Sequence, residues 1–351
     1  MARRSSTSAL TRAYQRNLTA LTKATLGTGQ RIARQVTKQV VHAAAQQHKP
    51  PPGAGDWLSG MALGPGGARG YHLYRPPGLQ LAPGEKLPLL LMLHGCSQTG
   101  REFAASTRMN RIAMRERFLV LYPEQDRVHH PHGCWNWYET RSGKADREAA
   151  TLLAALDQVS LLYPVDRERV AVAGLSAGAG MAALLATRYP NRFKAVAMHS
   201  GVAPGAAQST ASALGAMRGR RVPAMPVTAV GKALGAAAAG TTLPPMLVLH
   251  GDGDSVVAAS NAASTAAVWA TATGATPGPE RVLQRGKRHP MRVTDFSRAG
   301  RIFVTLCQVA GLGHAWSGGA ARLPFSDAAG PDASKLVWAF VSRQFRHVPR
   351  P

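Results

Sequence analysis

A series of short apolar runs, separated by helix-patterned stretches, constrains this chain more than any other feature. The runs are LPLLLMLH, FLVLYP, RVAVAG, KAVAMH, PPMLVLHG and RIFVTLCQVA, with YHLYRP upstream of them. None approaches the roughly 18 apolar residues of a membrane-spanning helix, so they read as buried strands. Between them lie stretches of helical periodicity: residues near 101–116, REAATLLAALDQVSLLYP, AGAGMAALLATRYP, NAASTAAVWATATG and DASKLVWAFVSRQF. Strands alternating with helices imply an α/β chain with a mostly parallel central sheet and helices on both faces. In such sheets ligands bind at the carboxyl ends of the strands.

One run carries chemistry. RVAVAG leads directly into Gly174-Leu175-Ser176-Ala177-Gly178, and the helix pattern follows at once. A serine hydroxyl is a weak nucleophile unless it is exposed on a tight turn beside a base. Small neighbours let strand, turn and helix approach closely. G-x-S-x-G alone is a weak signal in a Gly- and Ala-rich chain. The strand before it and the helix after it are the context an α/β-hydrolase nucleophile elbow requires, with Ser176 at its centre.

In that fold the acid and then the base follow the serine in sequence. Two carboxylates qualify, Asp252 and Asp254, on the loop HGDGDSVV after the strand PPMLVL. Asp254 is preferred because it lies deeper, before Val256 and Val257, whereas Asp252 suits a turn. The base is expected at His314, flanked by small residues in GLGHAW at the end of RIFVTLCQVA. His289 sits among Lys287 and Arg288 and reads as a solvated turn, and His347 falls beyond the last helix. A tetrahedral oxyanion needs two N–H donors. Ala177, next after the serine, supplies one, and Cys96, after LHG, supplies the other. His94 reads as a structural histidine bonded to backbone. This chemistry needs no metal or organic cofactor.

Here the residues support a resemblance. LPLLLMLHGCSQTG, FLVLYPEQ, GCWNWY, RVAVAGLSAGAGMAALLATRYP, HGDGDSVV, GLGHAWSGG and GPDASKLVWAF occur in this order over about residues 68–345. Together they resemble the poly(3-hydroxybutyrate) depolymerase family of esterases, whose relatives include feruloyl and acetylxylan esterases. The resemblance implies a serine ester hydrolase acting on polyester, oligoester or small ester substrates. It implies Ser176 as nucleophile, Asp254 as acid, His314 as base and Cys96 in the oxyanion loop. It further implies a disulfide between Cys96 and Cys134, and Trp135, Trp137 and Trp316 lining an apolar cleft. Of the three cysteines, Cys307 is then the free one.

Outside those motifs, residues 1–48 form a basic arm, with no acidic residue before Asp56. It is expected to be a helical or disordered arm able to meet an anionic surface. It shows neither the apolar core nor the small-residue cleavage site of a signal peptide. The family resemblance implies an extracellular protein, and the missing signal makes the cytoplasm the alternative. Residues 49–66, which open with KPPPGAG, read as a linker, and 67–347 as the catalytic domain, with a low-complexity insertion near 205–243. The formal charge of +24 suits anionic partners, but arginine is spread along an Ala-, Gly- and Pro-rich chain, so in its body the charge reads as compositional. With no zinc spacing, RRM-type signature or clear helix-turn-helix, no specific nucleic acid is expected. The competing functions are a feruloyl- or acetylxylan-type esterase and a non-catalytic, granule- or surface-associated hydrolase fold.

Overall fold

Runs of Leu, Val and Ala too apolar to face water on either side must be covered on both, and this dictates the centre of the fold. The computed structural model of the chain describes residues 49–125, 127–219 and 243–346. The basic arm 1–48, residues 220–242 of the expected insertion and His347 lie outside them. Strands β3 (Leu87–Leu93), β4 (Leu119–Pro123), β5 (Val165–Leu175), β6 (Ala195–His199), β7 (Met246–Gly251) and β11 (Arg301–Val309) form the parallel core, in the order β4-β3-β5-β6-β7-β11.

Side chains alternate between two cores. Leu89, Leu91 and Leu93 of β3 face one way, against α3 (Lys144–Leu162), α4 (Ala177–Arg188) and α6 (Ser260–Thr273). Leu90 and Met92 face the other, against α1 (Gly100–Thr107), α2 (Met109–Glu116) and α7 (Ala333–Arg346). Each large side chain removed from water in this way contributes about 1.5–3 kcal/mol. The helical stretch near 101–116 is two helices. Thr99 opens α1 with a capping box to Glu102, and Arg108, at φ 56°, ends it.

Both edges of the sheet are antiparallel. β1 (Asp56–Gly64) pairs with β2 (Gly67–Arg75), which pairs with β4. Residues 56–64, expected as linker, are therefore the first strand of the sheet. At the other edge β10 (Met291–Arg298) turns back along β11 and also pairs with the short β8 (Thr276–Pro277) and β9 (Arg281–Leu283). Within the expected insertion, α5 (Thr210–Met217) is a helix with a Ser209–Ser212 capping box. No helix among the described residues is long and apolar enough to cross a membrane.

Candidate active site

Ser176 stands between β5 and α4 with φ 56° and ψ −120°, a conformation L residues rarely adopt. Such strain persists only where the surroundings hold it. The Ser176 N–H donates to His199 O at 2.9 Å, and the N–H groups of Ala179 and Gly180 donate back to Ser176 O. The glycines explain how the turn closes. A Cβ on Gly178 would collide with the backbone carbonyls of Leu93 and His94, at the end of β3. Gly178→Ala is thus expected to cost roughly 1–3 kcal/mol, because rigid backbone must give way. A thermal melt should show Tm lowered by about 3 °C for ~2 kcal/mol in a unit of this size.

The same packing sets the loop after β3 beside the serine. A Cβ on Gly95 would stand 3.5 Å from Ser176 Cβ. In this loop Gly95 N–H donates to Gln98 Oε1, Ser97 N–H to His132 O and Gln98 N–H to Gly95 O. The Cys96 N–H has no such partner among the described residues. Ala177, as the first residue of α4, has no intrahelical acceptor for its own N–H. Two unspent donors therefore flank the serine.

The loop is held from beneath. The His94 Nδ1–H donates to Gly95 O at 2.8 Å, and its Nε2 accepts from Gln125 N–H at 3.0 Å. Burial pushes this imidazole down to a pKa of about 4, so it stays neutral. Glu148 is the buried hub of the support. Its carboxylate accepts from Arg69 Nη2, Gln125 Nε2, Asn136 N and Asn136 Nδ2 at 2.7–3.2 Å. Cys96 and Cys134 are joined by a disulfide 38 residues apart. Closing a loop of that length stabilises by about 4 kcal/mol in the chain-entropy account. Reduction should lower the unfolding free energy by about 2–4 kcal/mol in a urea titration. Cys307 is the free cysteine and is buried, its thiol pushed up to about 12 by burial.

Acid and base candidates occupy loops after adjacent strands, β7 and β11. The two loops are laced together: Gly253 N–H donates to Leu312 O, Asp252 N–H to Val309 O and Gly311 N–H to Asp252 Oδ1. His314 Nδ1 lies 2.8 Å from Asp254 Oδ2. Asp254 Oδ1 accepts from Val256 N–H and Val257 N–H, so backbone donors, more than valine packing, pin it. Burial pushes the Asp254 carboxyl up. Hydrogen bonds from His250, His314 and Val257 outweigh this and hold it well below the usual carboxylate range. The stability it contributes is therefore present above the ordinary aspartate pKa and lost as pH falls below it. Asp252 is exposed and tied to Gly311, and His289 lies 3.6 Å from Asp327.

Two histidines escaped the sequence reading. His250 Nε2 approaches Val257 O at 2.9 Å and Asp254 Oδ2 at 3.4 Å, buttressing the carboxylate. His199 joins the two halves of the site: its carbonyl takes the Ser176 N–H, and its Nε2 accepts from Ser317 N–H at 3.1 Å, on the loop of His314. Burial lowers its pKa to about 3, so the ring remains a neutral acceptor. A polar residue ending the otherwise apolar run KAVAMH was the available signal.

The three tryptophans separate. Trp135 is fully buried, its indole N–H donating to His94 O. Trp316 is 1% exposed, stacked on His199, with its N–H on Ser334 Oγ. Both rings pack into the core beneath the loops. Trp137 is half-buried and borders a cleft.

A family model described as esterase PHB depolymerase matches residues 69–276, well over half of the chain. The chain belongs to this family. Among curated relatives, poly(3-hydroxyalkanoate) depolymerase C of Paucimonas lemoignei is 34% identical over 115 residues, 32% of this chain and 28% of that protein. Feruloyl esterase B of Neurospora crassa is 29% identical over 144 residues, 40% of this chain and 47% of its own. Both matches thus span less than half of the relative. Acetylxylan esterase A of Talaromyces purpureogenus is 24% identical over 260 residues, 71% of this chain and 63% of its own. The family fold is also that of a solved acetyl xylan esterase from Aspergillus awamori, with TM-score 0.62 at 20% identity over 75% of this chain and 94% of that one. It is an α/β-hydrolase fold.

Proposed function

We propose that the chain is a serine-dependent carboxylic ester hydrolase acting on polyhydroxybutyrate-type polyester, its oligomers or related short esters. The observation that carries this is the Asp254–His314 hydrogen bond, on loops tied through His199 to a strained Ser176. In the proposed reaction Ser176 Oγ attacks the ester carbonyl as His314 Nε2 takes its proton. Asp254 holds the ring with Nδ1 protonated and stabilises the imidazolium. The N–H groups of Ala177 and Cys96 receive the oxyanion. His314 then protonates the departing alcohol, and a water it deprotonates releases the acid and restores Ser176.

Relatives named for acetylxylan and feruloyl ester hydrolysis make those ester classes the second reading. One experiment addresses both. The protein is labelled with a fluorophosphonate, and the adduct is mapped by mass spectrometry. It is then assayed on p-nitrophenyl butyrate, hydroxybutyrate oligomers, suspended polymer, acetylated xylan and methyl ferulate. An adduct on Ser176 with turnover of hydroxybutyrate esters is expected. Faster turnover of xylan or ferulate esters would favour the second reading. No adduct and no turnover would leave the non-catalytic, surface-bound alternative.

A further inference from the structure

A cleft of about 290 Å³ opens one helical turn beyond Ser176 and is not used by the reaction as described. One wall is a face of α4: Gly180, Leu184, Thr187 and Arg188, spaced i, i+4, i+7, i+8. Opposite stands Trp137, its ring so close that a Cβ on Gly180 would meet it at 2.7 Å. The near end lies one helical turn from the site: Gly180 follows Ser176 by four residues and its N–H bonds Ser176 O, and Cys96–Cys134 ties the segment that carries Trp137 to the Cys96 loop. At the rim Arg141 is exposed, its Nε donating to Gln208 Oε1 at 3.0 Å. Its two Nη groups have no partner among the described residues. Arg188, by contrast, is paired with Asp146 at 2.7 Å. The cleft thus has an aromatic wall one helical turn from Ser176 and an available guanidinium fork at its rim.

That combination suits a short apolar chain ending in an anion, since a guanidinium fork matches a carboxylate with two parallel hydrogen bonds. Ester chemistry then fixes which half of the substrate binds there. A linear oligomer of a hydroxy acid has one free carboxylate, and it lies on the alcohol side of every ester bond in the molecule. We infer that this cleft is the leaving-group subsite for carboxylate-terminated oligoesters of hydroxy acids, with Trp137 packing on the chain and Arg141 pairing with the terminal carboxylate. The inference rests on the esterase reading and makes the substrate a soluble oligomer recognised from its acid end.

The test compares hydroxybutyrate dimer, trimer and tetramer as free acids with their methyl esters, in low and high salt. The native protein is expected to show kcat/KM about tenfold higher for the free acid at one or more lengths, falling toward parity as salt screens the pair. Arg141→Gln should remove that preference, and Arg141→Lys should keep part of it. As a readout independent of turnover, Ser176→Ala protein titrated calorimetrically should bind the free-acid trimer about tenfold more tightly than its methyl ester. Equal kcat/KM for acid and ester in the native protein, or a preference that survives Arg141→Gln, would overturn the assignment. Turnover without acid preference defeats the subsite alone. Absence of turnover on every ester defeats the esterase reading, and the calorimetric arm still decides whether the cleft selects a carboxylate.

Discussion

Ser176→Ala is expected to reduce kcat for p-nitrophenyl butyrate by on the order of a millionfold, to the residual rate of the oxyanion donors alone. No neighbouring group can replace the hydroxyl. His199 and Ser200 lie next to the site, but the His199 ring is engaged through both nitrogens, with Ser200 Oγ and Ser317 N–H as partners. The backbone of the turn is set by carbonyl and amide contacts that do not involve Oγ. The variant should therefore keep its circular dichroism spectrum and melting temperature while losing the fluorophosphonate adduct. Turnover within about tenfold of the native rate would show that another group is the nucleophile.

Asp254→Asn is expected to lower kcat by about 10⁴-fold with little effect on structure. The change keeps an oxygen for Val256 N–H and Val257 N–H, but it can set an amide N–H against His314 Nδ1 and thereby favour the wrong tautomer. Asp252→Asn provides the comparison. Its side chain is exposed and accepts only from Gly311 N–H among its described hydrogen bonds, which an amide oxygen can also do. Its effect should remain below about tenfold, a ratio of roughly a thousand between the two variants. Steady-state kinetics on p-nitrophenyl butyrate decides it. The larger loss in Asp252→Asn would reverse the assignment of the acid.

Much of the fold was legible because its central strands announce themselves. LPLLLML and MLVLHG are buried at every position, so their composition alone excludes an exposed role. The edges were harder. DWLSGMALG has a single buried residue, Ala62, and follows a Pro- and Gly-rich stretch, so its pairing with β2 leaves little trace in composition. MRVTDFSR has only Met291 and Val293 buried, and its place depends on β11 folding back beside it.

The site divides along similar lines. Ser176 and His314 occupy positions that the strand ends make readable. The choice between Asp252 and Asp254 depends on how one loop curls, which local sequence does not express. The tryptophans show the same limit. GCWNWY presents two alike, yet a tilt of one loop places Trp135 under His94 and Trp137 at the cleft. Glu148, on α3, was hidden because an acidic residue on a helix ordinarily faces water. Here its burial is compensated by Arg69 and three further donors.

The bond between Cys96 and Cys134 has a consequence for anyone who would redesign this enzyme. It joins the Cys96 loop, the proposed oxyanion loop, to the segment that carries Trp137 at the cleft wall. Exchanging residues 134–141 for those of a relative would transmit any change in wall position to the Cys96 amide. Altered selectivity would then arrive together with altered rate. Substitutions on the opposite wall, at Leu184 of α4, lie off that linkage and offer the route by which the two properties can be varied separately.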